Sequence, residues 1–162
     1  MIERKVMVVG DFAVGKTCIA NKFFHGTFSE DYHADIGIKI YPQEFLEREK
    51  TVKFEGWDMP AEDEYCGLRM PHFRGASAVL LVADQTRSYT LQTALNLLIK
   101  IREKFPNLPV ILAYNKSDLI DDLEIDRATL DQVVATGVRV FETSAKSGFN
   151  VNIALKQARA YH

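Results

Sequence analysis

Apolar residues run together without alternation at residues 5–9, 78–83, 110–113 and 138–141. Runs of that length and continuity predict short strands buried on both faces, which is the signature of a parallel central sheet. Between them the apolar positions recur at helical spacing. The pattern predicts helices over Lys16–His25, Ser88–Lys104, residues 126–135 and Val151–Ala160. The second of these places Leu91, Leu95, Leu98, Ile99 and Ile101 mostly on one stripe. Strand and helix therefore alternate, as in doubly wound α/β folds. Residues 39–45 and 51–57 break the alternation. They flank the short charged stretch 46–50 and predict an antiparallel hairpin after the first helix.

Composition narrows the class. A chain of 162 residues, 47% hydrophobic and 26% charged, suits a single domain spanning residues 1–162. Basic and acidic residues are interspersed and the net charge is -2, so a nucleic-acid partner is excluded on electrostatic grounds. Two cysteines, Cys18 and Cys66, do not make a disulfide framework and suit a reduced, cytoplasmic protein. No apolar run reaches the roughly 20 residues of a membrane span, and the first residues lack a signal-peptide start. The expectation is a soluble domain. The four histidines show no transition-metal spacing, which leaves Mg²⁺ as the expected metal.

The chemistry lies at the ends of the predicted strands. The first strand runs into Gly10-Asp11-Phe12-Ala13-Val14-Gly15-Lys16-Thr17 and then a helix, the P-loop pattern in its strand-loop-helix context. Amides of such a loop and of the helix start, here Ala13, Val14, Gly15, Lys16, Thr17 and Cys18, solvate phosphate oxygens. Lys16 adds positive charge, and the Thr17 hydroxyl is placed to join Mg²⁺. A P-loop alone fits a kinase, an ATPase or a GTPase. Asn115-Lys116-Ser117-Asp118 after the third buried run decides for guanine. The Asp118 carboxylate can accept from the ring N–H and the exocyclic amine of guanine, a pattern adenine does not offer. Thr143-Ser144-Ala145-Lys146 after the fourth run can offer a backbone N–H to the guanine carbonyl, while Lys116 covers the ring.

These motifs resemble the Ras superfamily across nearly the whole chain. The likeness is to the Rab branch through Asp31-Tyr32-His33-Ala34, Ile36-Gly37-Ile38 and His72-Phe73-Arg74-Gly75-Ala76. The resemblance implies a P-loop G domain with a mostly parallel six-stranded sheet, one antiparallel strand and helices on both faces. It implies GTP or GDP with Mg²⁺, a monomer, and effectors and exchange factors engaging the switch segments. It places Phe28 against the guanine face, Asp58 at the Mg²⁺ site, and membrane association in a prenylated tail absent from this sequence.

Four positions depart from the family. Phe12 stands where a small P-loop residue is usual, and Asp35 replaces the switch threonine at the Mg²⁺ site. Ala61 follows Pro60 in place of a glycine, and Glu62 replaces the glutamine that positions attacking water. The expectation is a switch that binds guanine nucleotide through Lys16 but hydrolyses GTP slowly. Two other readings stay open. One is a competent GTPase of vesicle trafficking with non-standard catalytic residues, and the other is a scaffold that has lost its nucleotide.

Overall fold

The computed structural model describes residues 2–26, 38–60 and 70–161. Phe28, residues 31–37 including Asp35, Ala61, Glu62 and Cys66 lie outside the described residues. The chain order is β1 (Ile2–Gly10), α1 (Lys16–His25), β2 (Lys39–Glu47), β3 (Lys50–Asp58) and β4 (Ala78–Asp84). It continues with α2 (Ser88–Lys104), β5 (Val110–Asn115), α3 (Arg127–Ala135), β6 (Arg139–Glu142) and α4 (Val151–Ala160). The six strands lie in the order β2-β3-β1-β4-β5-β6. Among the described residues only the β2–β3 pairing is antiparallel; β1 pairs in parallel with β3 and β4, as β5 does with β4 and β6. The expected α/β architecture is therefore present.

Alternation along the buried strands builds two cores. Met7, Val9, Val79 and Leu81 face one layer, where Leu91, Leu95, Leu98 and Ile101 of α2 and Val133 of α3 cover them. Val6, Val8, Leu80 and Val82 face the other, against Ile19 of α1 and Ala154, Leu155 and Ala158 of α4. With both faces covered, β4 has no exposed position, which is why its sequence reads as a continuous apolar run.

Helix boundaries follow local chemistry. Gly26, at φ 71°, closes α1 by donating its N–H to Lys22 O. Asp126 caps α3 by accepting from the Thr129 amide at 3.1 Å. Among the described residues no helix is long and apolar enough to cross a membrane.

Three sequence expectations are corrected. Strand β6 is an edge strand with both ends exposed and its middle half-buried, since no described strand pairs beyond it. Its apolar run is therefore not buried on both faces. Ile99 is half exposed, because it lies about 100° from Leu98 and off the covered stripe of α2. The hairpin strands extend to Glu47 and Lys50, so the turn shrinks to Arg48 and Glu49. Both residues take positive φ, 50° and 66°. That is the geometry a two-residue hairpin demands, met here without the usual glycine.

Candidate nucleotide-binding site

The P-loop leaves β1 at Gly10, where a Cβ would lie 2.3 Å from Val82 O of the neighbouring strand. Only glycine fits there. Ala13 at φ 58° and Gly15 at φ 104° put two left-handed residues into the loop, and turns of that kind can present successive amides to an anion. Gly15 makes no side-chain cap at the start of α1, and a helix N-terminus is a favourable seat for an anion. The Lys16 ammonium folds into the loop and donates to Gly10 O at 2.7 Å and Asp11 O at 2.8 Å. Thr17 Oγ1 donates to Asp58 Oδ2 at 2.5 Å, so the sequence's expected hydroxyl and carboxylate converge at the end of β3. Two adjacent hard oxygen donors suit Mg²⁺.

The base-reading loops are stitched to this loop by side chains from far along the chain. Asn115 Nδ2 donates to Val14 O at 3.0 Å. Asn115 Oδ1 accepts from Thr143 Oγ1 at 3.1 Å and from the Ala145 amide at 3.3 Å. One amide side chain thus ties the loops after β1, β5 and β6. Close approach here also requires Gly15, whose added Cβ would sit 2.3 Å from Asn115 Nδ2. Lys116 Nζ donates to Ala13 O at 3.0 Å, and Ser144 Oγ holds Asp118 Oδ1 at 2.8 Å. Asp118 itself is exposed, while Ser144 and Ala145 are buried. Burial raises the Cys18 thiol pKa more than the Lys116 charge lowers it, so Cys18 is not an activated nucleophile.

The residue missed from sequence is Asp84. It ends β4 with no exposed surface, and its carboxylate pairs with Lys116 Nζ at 2.8 Å and Arg87 Nε at 2.8 Å. Thr86 adds its amide at 2.8 Å and its hydroxyl at 2.7 Å. Burial pushes the Asp84 pKa up, but the hydrogen bonds from Lys116, Thr86 and Arg87 outweigh it and hold the carboxyl below its ordinary range. Arg87 in turn donates to Phe12 O at 3.0 Å, and Thr93 Oγ1 to Asp11 Oδ2 at 2.7 Å. The P-loop backbone is therefore braced from α2 as well as from β5. The one sequence signal for Asp84 was its place: a carboxylate at the carboxyl end of a fully buried strand, where open α/β sheets bind ligands.

A phosphate-type loop at the end of β1, with polar loops from β5 and β6 drawn against it, defines a P-loop nucleotide-binding protein. Residues 5–160 match the model of the Ras family. The Ras-related protein RABF2b of Arabidopsis thaliana is 32% identical over 154 residues, covering 93% of this chain and 76% of that protein. The chain belongs to the Ras family and is a Rab-like small GTPase, a nucleotide-binding switch. Membership supports GTP and GDP as its ligands.

Proposed function

We propose that this switch holds guanine nucleotide with Mg²⁺, turns GTP over slowly and signals through bound state rather than through flux. The observation that carries the reading is the Asp84 hub. Through Lys116 and Arg87 it fixes the phosphate loop and the base-reading loop relative to one another. Such preorganisation favours retention of a ligand that touches both loops. In this reading the P-loop amides of residues 13–18 and Lys16 take the phosphates. Asp118 selects guanine, Lys116 covers the ring, and Ser144, Ala145 and Lys146 close the base edge. Thr17 and Asp58 would hold Mg²⁺, which neutralises phosphate charge when bound.

Slow turnover rests on Phe12 together with Asp35, Ala61 and Glu62. Phe12 is 46% exposed on a backbone pinned by Arg87, so its benzyl group stands at the rim of the P-loop. There it occupies space that an arginine from a partner would cross. A carboxylate at position 62 cannot donate a hydrogen bond toward phosphate and repels it. Effectors and exchange factors would engage the segments around residues 31–38 and 57–76. The protein acts as a cytoplasmic monomer in this reading, and any membrane association would rest on lipidation.

Single-turnover phosphate release tests the proposal. Replacing Phe12, Asp35, Ala61 and Glu62 together by Gly, Thr, Gly and Gln should raise the rate at least tenfold, about 1.4 kcal/mol of barrier. A parent rate that the fourfold variant does not exceed would contradict slow turnover.

A further inference from the structure

Residues 119–125 read Leu-Ile-Asp-Asp-Leu-Glu-Ile, and every one of them is exposed. Among the described residues twelve large hydrophobics are exposed, and four of them, Leu119, Ile120, Leu123 and Ile125, fall in this one stretch. Single apolar residues scattered over a surface need no explanation, but a run of this density does. Ile120 is 75% exposed, and the other three are each more than a third exposed. The backbone that carries them is held in place. The Leu119 amide donates to Lys116 O at 3.1 Å, the Asp122 amide to Leu119 O at 3.0 Å and the Glu124 amide to Gln85 O at 2.7 Å. The Glu124 carboxylate accepts from the Ser88 hydroxyl at 2.7 Å, which ties the stretch to the start of α2. A backbone bonded along its length keeps these side chains in water, and a second surface is what removes them from it.

Charge decides what that surface is. Asp121, Asp122 and Glu124 stand between the apolar residues, with no Lys, Arg or His in the stretch. Three negative charges here exceed the net charge of -2 of the whole chain. Glu124 is engaged by Ser88, whereas the Asp121 and Asp122 carboxylates are exposed and form no ion pair among the described residues. Such a patch repels an anionic membrane surface, and a neutral apolar face would leave its carboxylates unmatched. A basic amphipathic helix meets both demands. Its apolar stripe covers Ile120 and Leu123, which are three residues apart, while flanking lysines or arginines reach the two aspartates. Leu123 also borders the cleft beside Asp118, but Ile120, Asp121, Asp122 and Ile125 do not. Those four therefore lie outside the seat of the base.

We propose that residues 119–125 form a docking surface for a basic amphipathic helix of a partner protein, with Ile120 and Ile125 as apolar contacts and Asp121 and Asp122 as the charge match. Asp118 takes no part in it, nor does any P-loop or Mg²⁺ residue, so partner and nucleotide bind together.

The probe is the peptide acetyl-Leu-Lys-Lys-Leu-Leu-Lys-Lys-Leu-Leu-Lys-Lys-Leu-amide, titrated into the ¹⁵N-labelled protein with GDP and Mg²⁺ present and followed through its amide resonances. The amides of Ile120, Asp121, Asp122 and Ile125 should shift, and those of residues 13–18 should not. The analogue with glutamate for each lysine should not bind, and the analogue with serine for each leucine should bind about tenfold more weakly. Ile120→Ser should weaken the lysine peptide about fivefold, as should Asp121→Asn combined with Asp122→Asn. Ile99→Ser, at a half-exposed apolar position on α2, should leave it unchanged. Binding should be the same without added GDP, whose own retention is measured separately. Equal affinity for the lysine and glutamate peptides, no loss in either variant of the stretch, an equal loss in Ile99→Ser, or competition with GDP would overturn the proposal. Binding of phosphatidylserine vesicles without binding of the peptide would overturn it too, in favour of a membrane surface.

Discussion

At the carboxyl end of the sheet three loops are clasped by side chains more than a hundred residues distant in sequence, as in Asn115 to Val14 and Lys116 to Ala13. At the opposite end, beside the β2–β3 turn, Glu47 pairs with Arg4 at 2.6 Å. Asp84 at the first end is wholly buried, while the Glu47 side chain at the second is 42% exposed. The difference is one of coupling. Each clasp residue serves two loops, so its loss moves both, whereas the hairpin pair sets a buried Arg4, which also donates to Arg159 O at 3.2 Å, against a Glu47 that is partly in water. Rigidity has been concentrated where three loops must agree in position, and the far end carries strain that a substitution could relieve.

The comparison breaks most visibly at Asp84. Asp84→Ala removes the partner of Lys116 and Arg87 and should cost about 3 kcal/mol, the low end for a buried pair because both cations keep some contact with water. Urea unfolding measures it. With pH the sign is set by the depressed Asp84 pKa in the folded state. Its contribution is complete above the unfolded value, about 3.9, and is lost as pH falls through the lower folded value. The Asp84→Asn variant should accordingly show a flatter acid limb than the parent.

Asp118→Asn should weaken GDP binding about 100-fold, near 2.7 kcal/mol, and improve xanthosine diphosphate. The amide presents a donor where the carboxylate presented an acceptor. Competition titration with the two nucleotides reads the effect, and unchanged GDP affinity would remove Asp118 from the site. Gly15→Ala should cost about 2 kcal/mol, since positive φ and the contact with Asn115 both penalise a methyl group. A thermal melt that matches the parent would show that the clasp yields easily.

The smallest effect belongs to the other end. Replacing Arg48-Glu49 by Asn-Gly should stabilise the protein by about 1 kcal/mol, because those residues accept the two positive φ angles without strain. A loss of stability there would mean the turn residues hold contacts beyond their backbone.

The elements were legible because their causes are local. Helix Ser88–Lys104 follows from its own spacing, and β4 from an unbroken apolar run. What escaped is long-range. Strand β6 has an apolar run like the others, yet its place at the sheet edge leaves it half-covered, and no residue within it records that. Lys116 was recognised by its tetrad, but its partner was not. Asp84 sits beyond the last apolar residue of its run, in no motif, and its meaning comes from neighbours 32 residues away and from Arg87 beside it. Phe28, Asp35, Ala61 and Glu62 were read from pattern and resemblance alone, outside the described residues.

The central claim is that the clasped loops hold a guanine nucleotide. Chromatography of the supernatant after heat denaturation of the purified protein reads it directly. The account predicts close to one equivalent of GDP or GTP, with no adenine nucleotide. Protein that releases no nucleotide, and that takes up neither GDP nor GTP on incubation with Mg²⁺, would contradict it.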